Sequence, residues 1–397
     1  TPSMYQINFC NISGHLAANF AQRVRPFPAL LSRLSFCLFA LVFLLWQSCD
    51  TSLAEVRNVG FYNMGISLPE RELNLDINVW YPTDSRRRRP YKLQSWSFRA
   101  AGKTAVSPGS WPLILLSHPS SGNRLTHHNT ASDLAARGFI VAVMTHPFDN
   151  LDSMPDLYSW DLFVHRARDL RLLLDIILNH EHFAQSIDRE RIGVLGFGAG
   201  GAAALLVGGA LPDCTLWDTF CTGSDLRNPY CNSWAKNRID KNICPALPLK
   251  HSLADVRVKA CALVEPGFSM LFSHDALAWF YPPVLLVRGG VQRDQALMRE
   301  SELFTTRFGR RIEKVTLPRA DEESFMAPCP ERLLQELPEL CYSVDDKLRE
   351  EIHERLVSTL ADFFTRTLAT GSPRAIPAPP VFEPVGPMLP ERKGLAK

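Results

Sequence analysis

What this 397-residue sequence lacks narrows what it can be. Neither sign of charge is in excess: 43 Lys and Arg against 41 Asp and Glu leave a net +2, far from the basic balance of a nucleic-acid-binding domain. Ten cysteines include no Cys-x-x-Cys pair and no accompanying histidine cluster, so zinc ligation lacks its usual spacing and no metal site is implied. No internal repeat is visible, which argues against a solenoid or propeller. The longest apolar stretch, Leu34–Trp46, runs for about 13 residues, short of the roughly 20 that a spanning helix uses. Histidine is absent between His274 and His353, which removes the commonest general base from that whole stretch.

What is present suits one large α/β domain with two tails. The hydrophobic content is 46%, enough for a sizeable core at this length. We divide the chain into a polar segment 1–30, a signal peptide or anchor 31–54, a domain 55–370 and a tail 371–397 with seven prolines. Leu34–Trp46 has the length of a signal-peptide core, with Ser52-Leu53-Ala54 as a cleavage site. Pro28–Ser35 extends it to spanning length if Arg33 snorkels. The anchor reading is carried forward. Arg23, Arg25 and Arg33 then hold the N-terminus in the cytoplasm, and the domain lies in the periplasm or another extracytoplasmic space. The partners implied are a membrane and membrane-protein subunits. The tail suits an extended polyproline conformation.

Strand and helix periods alternate along the domain. Asn74–Tyr81, Trp111–Ser117, Phe139–Thr145, Val258–Val264, Pro283–Val287 and Ile312–Leu317 read as strands. Thr130–Arg137, Trp160–Leu178, Ala296–Phe308 and Val344–Leu368 read as helices. Such alternation predicts a mainly parallel sheet wound on both faces. Arg86–Arg89 reads as a solvated basic loop, with docking to an acidic partner or lipid surface as its rival. Cys261 falls in a core strand as a free thiol. Cys214, Cys221, Cys231, Cys244, Cys329 and Cys341 fall in loops, where an even number after an export signal argues for disulfides.

The chain is organised around Arg191–Leu211 (RIGVLGFGAGGAAALLVGGAL). A short apolar strand, a glycine turn and a small-residue helix give the context of a nucleophile elbow, Gly-x-Ser-x-Gly. Gly198 occupies the position where that motif has serine. Glycine adopts the strained elbow backbone freely but offers no attacking atom. Gly196, Gly198 and Gly201 also match a dinucleotide fingerprint, but the chain enters an insertion at about 213–253 where a second strand with a terminal acid is wanted. No cofactor is implied.

Several spaced motifs resemble one family. Asn78-Val79-Trp80-Tyr81-Pro82, Leu116-Ser117-His118, Thr145-His146-Pro147 with Asp149-Asn150, Asp188-Arg189, Arg191-Ile192-Gly193-Val194, Gly196-Phe197, Cys221, Cys231 and Phe325-Met326-Ala327-Pro328-Cys329 occur in order. Over about 56–369 the chain is similar to the exported bacterial predicted dienelactone hydrolases. These are relatives of platelet-activating factor acetylhydrolase in the α/β-hydrolase superfamily. That resemblance implies an α/β-hydrolase fold and a Ser–acid–His triad for acyl transfer. Carried over position by position, the serine falls on Gly198, the acid on Gln292 with Asp294 nearby, and the histidine on Glu322. Two of three members are replaced and the third is displaced.

Other residues are weighed as replacements. Ser120 and Ser121 lie in a loop resembling the family's oxyanion loop, near His118, and Pro119 there lacks a backbone donor. Their plainer reading is turn chemistry. Asp321, Glu322 and Glu323 are read as a solvated acidic loop ahead of a calcium site or catalytic carboxylates. His127 and His128 are read as surface loop ahead of a metal pair. Glu265, ending a strand at the mouth of the sheet, and Phe197 complete the candidate pocket with His118, Ser120 and Ser121. Short separations favour Cys221–Cys231 and Cys329–Cys341 disulfides, with Cys214–Cys244 a third. The expectation is a catalytically inactive fold acting as a structural or binding subunit. An ester hydrolase with a relocated nucleophile, or a small-molecule binder using the vacated pocket, are the alternatives.

Overall fold

The computed structural model describes residues 57–69, 72–155, 160–213, 215–222, 231–232, 253–274, 276, 280, 282–291, 295–308, 312–336, 338–341 and 344–369. The expectations for 1–54, for Cys214 with Cys244, for Gln292 and Asp294, and for the tail 371–397 lie outside these residues. Among the described residues ten strands occur: β1 (Asn58–Leu68), β2 (Leu73–Thr83), β3 (Arg89–Leu93), β4 (Trp96–Gly102), β5 (Trp111–Ser117), β6 (Ile140–Met144), β7 (Ile187–Phe197), β8 (Val258–Val264), β9 (Val284–Gly289) and β10 (Ile312–Leu317). They form one sheet in the order β10-β9-β8-β7-β5-β6-β2-β1-β4-β3. From β6 through β10 every pairing is parallel, and the β1–β2 hairpin joins β6 antiparallel. The doubly wound, mainly parallel sheet matches the expected fold class.

The apolar runs explain the layers. β5 and β6 are nearly continuous Val, Ile, Leu and Ala because helices cover both faces. Leu113 and Leu115 join one core with α2 (Trp160–Asn179) and α3 (Ala199–Gly208). Ile114 and Leu116 join the other, with α1 (His128–Ala136) and the C-terminal helix Asp346–Thr367. Each fully buried Leu or Phe contributes roughly 1.5–3 kcal/mol. Gly193 in β7 is forced by this packing, since a Cβ there would stand 2.6 Å from the Phe364 ring.

Three additional helices are short or peripheral to the sheet: α4 (Thr215–Cys221), α5 (Gln295–Phe308) and α6 (Glu331–Glu336). The helix α7 (Pro338–Cys341) precedes α8 (Asp346–Thr367), whose first turn is capped by the Asp345 carboxylate accepting from Leu348 N–H at 2.8 Å. A Cys221–Cys231 disulfide closes the start of the insertion, with the Cα atoms 5.2 Å apart. Cys329–Cys341 ties the segment before α6 to α7 at 5.7 Å. The insertion is therefore not wholly irregular, because α4 occupies its first turns. Cys261 is buried and free. No described helix is long and apolar enough to cross a membrane.

β1 and the β3–β4 hairpin were not expected from the sequence. β1 carries two glycines and two asparagines, all poor strand formers. The β3–β4 turn is Gln94-Ser95, with Gln94 at φ 51°. A two-residue hairpin usually advertises itself through Asn-Gly or Asp-Gly, and this one does not. Arg86–Arg88 are exposed, as expected of a basic loop, but Arg89 begins the edge strand β3.

Candidate functional site

Parallel strands end on one side of the sheet, and the strand order reverses between β5 and β7. A crevice opens at such a reversal. The loops that follow β5, β7, β8 and β10 meet there around a cavity of about 430 Å3. Pro119–Asn123, Phe197-Gly198, Glu265, Glu322, Glu323, Phe325 and Met326 all line it. An adjoining cavity shares Gln94–Trp96, Pro330 and Arg332 as a wall.

Gly198 has φ 52° and ψ −122° and stands between β7 and α3. This is the left-handed, strained turn expected of an elbow, and here glycine is required. A Cβ at this position would lie 3.0 Å from Pro119 Cβ. The elbow backbone is thus present, and the loop from β5 stands close against it. Neither the missing serine nor Pro119 alone reveals this contact, because it joins residues far apart in sequence.

Behind the loop lies a buried polar network that sequence reasoning did not find. Arg166 on α2 donates to Asp149 Oδ2 at 2.8 Å, His118 O at 2.6 Å, Pro119 O at 3.2 Å and Ser117 Oγ at 3.3 Å. Ser120 Oγ donates to the same Asp149 oxygen at 3.0 Å. His146 Nδ1 donates to Asp169 Oδ2 at 2.9 Å, which leaves Nε2 to accept from Ser117 Oγ at 2.9 Å. The order Ser117–His146–Asp169 is that of a catalytic triad. Ser117 is nevertheless fully buried, does not line the cavity, and shares its hydroxyl with Arg166. The Ser117 hydroxyl thus bonds His146 and Arg166 behind the cavity wall.

The histidines nearest the cleft, His118, His127, His128 and His146, are all buried. His118 donates from Nδ1 to Pro119 O at 2.7 Å and accepts at Nε2 from His146 N–H at 3.1 Å. It is buried behind the cavity and does not line it, contrary to its expected place in the pocket. Burial, and then the nearby Arg166 charge, holds His118 and His146 well below the ordinary imidazole range. His127 and His128 correct the surface-loop expectation, since both are buried at the start of α1. His127 stacks on Phe197 with centroids 3.6 Å apart and contacts Phe325 O through Nδ1 at 3.1 Å. Burial pushes it down to about 3. His128 packs against Trp96 and Phe98 instead, so the adjacent rings point apart. They form no metal pair.

The acidic residues divide likewise. Asp321 is buried, not solvated, because its Oδ1 accepts from Ser324 N–H at 3.0 Å and Ser324 Oγ at 2.7 Å. Glu322, at the matched histidine position, is exposed and lines the cavity with Glu323. Glu265, at φ 41°, lines it too, and its carboxylate accepts from Gly289 N–H. Among the described residues no three His, Cys, Asp or Glu side chains converge as a metal site. Ser121 donates to Ser120 O at 2.5 Å. Of the candidate pocket, the structure thus brings together Ser120, Ser121, Phe197 and Glu265, and leaves His118 out.

No family model matches the chain, and no curated protein sequence matches it. Solved structures do. A ferulic acid esterase from Streptomyces cinnamoneus superposes with a TM-score of 0.53 at 16% identity, covering 84% of this chain and 96% of that one. A dienelactone hydrolase from Anabaena variabilis ATCC 29413 matches at a TM-score of 0.42 and 16% identity, over 79% and 100% of the two chains. At such identity the likeness is one of fold: the domain has the α/β-hydrolase fold.

Proposed function

We propose that this α/β-hydrolase fold has given up acyl transfer and serves as an exported, membrane-tethered structural or binding subunit. The observation that carries the reading is Gly198, which keeps the elbow backbone while Pro119 stands 3.0 Å from the missing Cβ. An attacking group needs both an atom there and a base beside it. Glycine supplies neither, and the one histidine among the described lining residues, His127, takes up a second proton only near pH 3. The cleft itself persists, so binding remains open to it where chemistry is not.

Two disulfides fit an oxidising, extracytoplasmic compartment. The apolar segment 31–54 supplies the tether, with neighbouring transmembrane helices packing against its short apolar run. The proline-rich tail 371–397 lies along a partner at little entropic cost. Replacing Leu34–Trp46 by a cleavable signal peptide, and separately deleting Gly371–Lys397, tests these appendages. If both variants still co-purify with the same membrane partners at wild-type yield, the appendages are not the docking elements.

The catalytic half of the reading is tested by Gly198→Ser. The variant should show no turnover of a p-nitrophenyl ester above the buffer rate, because no base waits beside the new hydroxyl. Its stability should fall by roughly 1–3 kcal/mol, the cost of a side chain in a strained backbone region. Ester turnover restored by this one change would overturn the proposal.

A further inference from the structure

We infer that the β3–β4 hairpin, with the loop leading into it, is a docking face for an anionic phospholipid surface. The guanidinium groups of Arg86–Arg89 and Arg99 are its phosphate-binding elements. The inference extends the membrane-tethered reading above and rests on it.

The first observation is unpaired charge gathered on one hairpin. Arg86–Arg89, Lys92, Arg99 and Lys103 fall between positions 86 and 103, with no Asp or Glu among them. All seven are exposed. The whole chain carries a net charge of only +2, so the remainder is net acidic and this face stands out against it. Elsewhere on the surface arginines have carboxylate partners: Arg191 with Asp188 at 2.7 Å, Arg257 with Asp175 at 2.7 Å and Arg366 with Glu313 at 2.9 Å. Among the described residues no carboxylate pairs with any of the seven.

The second observation is that these cations are held in place. Arg88 Nη2 donates to Arg99 O at 3.1 Å, and Arg99 Nη2 donates to Arg88 O at 3.2 Å. The exchange sets two like charges side by side, a repulsion that a bound anion relieves. The Arg89 guanidinium lies 4.9 Å over the Tyr91 ring, and its Nε donates to Tyr91 Oη at 2.8 Å. Gly102 makes room for it, since a Cβ there would stand 2.5 Å from Arg89 Nη2. Tyr91 and Phe98 stack, and both pack on Phe61 of β1, so the hairpin is a firm platform. Positioned guanidiniums lose little entropy when they engage the paired oxygens of a phosphate.

The ends of this chain do not fit the face. Residues 1–30 contain Arg23 and Arg25 and no Asp or Glu, and 371–397 contain four Lys or Arg against two Glu. The same face of a second copy would repel it. Topology favours a bilayer. Only positions 55–57 lie between the proposed tether 31–54 and β1, and β4, which carries Arg99, is a sheet neighbour of β1. A tethered domain meets the headgroup layer at high effective concentration. Each Lys or Arg close to an anionic surface then strengthens the attraction about fivefold.

Arginine footprinting tests this. The full-length protein is reconstituted in bilayers of phosphatidylcholine alone, or of an equal mixture with phosphatidylglycerol, and treated with p-hydroxyphenylglyoxal. Peptide mass spectrometry reads Arg86–Arg89 and Arg99 against Arg355, an exposed arginine on α8. Relative modification of Arg86–Arg88 and Arg99 should be at least about threefold slower in the anionic bilayer. NaCl at about 0.5 M should abolish the difference. Arg86→Gln, Arg87→Gln and Arg88→Gln together should remove most of the protection at Arg99. Equal rates in the two bilayers overturn the inference. The cations would then only guard the edge strand β3 against pairing, to which Pro90 also contributes. Protection by poly-L-aspartate or inorganic phosphate over the neutral bilayer, with none from phosphatidylglycerol, overturns it in favour of an acidic protein or a soluble anion. Alkaline carbonate extraction separates the two readings. Release of the chain sinks the tether alone, and the same footprint is then read on protein added to preformed vesicles of the two compositions. A retained chain with equal rates sinks this inference alone.

Discussion

Behind Gly198 the rear wall of the cleft is buried and tied down, with Arg166 bridging Ser117, His118, Pro119 and Asp149. The front wall, from Glu322 to Glu336, is more exposed and carries most of the cleft's carboxylates. The rear wall has the frame of the α/β-hydrolase fold: strand, elbow turn, helix and the loop that packs over them. In the front wall the position matched to a catalytic histidine holds Glu322. The contrast follows from what each wall does for folding. Substituting a member of the rear network exposes unpaired buried groups and costs stability, whereas an exposed loop can exchange histidine for glutamate at almost none. On the proposed reading the fold outlasts its chemistry, and the parts that stay are those that the core depends on.

The comparison breaks first at Arg166. Arg166→Met should leave Asp149 as a buried, uncompensated carboxylate and remove a donor from the carbonyls of His118, Pro119 and Asp149. A loss of about 3–5 kcal/mol in urea denaturation is expected, and a loss under 1 kcal/mol would show that the rear wall is not structural. Next is the disulfide nearest the front wall. Cys329→Ser with Cys341→Ser opens a loop of 12 residues and should cost roughly 2–3 kcal/mol on the same assay.

Stability should also depend on pH through the buried histidines. His127 has a folded pKa depressed to about 3 against 6.5 unfolded. Between these values the unfolded chain holds a proton that the folded chain does not, so its contribution is present above pH 6.5 and is lost progressively as pH falls towards 3. The slope is roughly 1.4 kcal/mol per pH unit for each such histidine. His118, His128 and His146 are lowered in the same direction by burial. Urea midpoints of His127→Phe between pH 4 and 6.5 should therefore fall less steeply than those of the wild type. Parallel slopes would contradict the assignment of His127 as buried and neutral. The smallest effect belongs to the front wall, where Glu322→Gln should alter stability by no more than about 0.5 kcal/mol.

The sequence reveals these regions unequally. Gly196–Gly201 between an apolar strand and a small-residue helix discloses the elbow, because local glycine spacing dictates a local turn. The apolar runs of β5 to β8 disclose a sheet covered on both faces. Arg166 remains hidden, since its ring of partners comes from β5, the loop after it and the loop after β6, and no local pattern marks it. His127 and His128 are misread for a related reason: a polar pair at a helix start looks exposed until Phe197, Trp96 and Phe98 are folded onto it. The approach of Pro119 to Gly198 is likewise non-local. Sequence periodicity reports what each element buries, and the site is made by elements meeting.

The central claim is that no serine here is activated, and a fluorophosphonate probe tests it most directly. The disulfide-intact protein, incubated with excess probe at pH 8 and measured by intact mass spectrometry, should retain its unlabelled mass. Ser117 should be silent through burial, and Ser120 and Ser121 because their hydroxyls donate to Asp149 and to a backbone carbonyl. Stoichiometric addition of one phosphonyl group, mapped to any of these serines, would contradict the account and establish a relocated nucleophile.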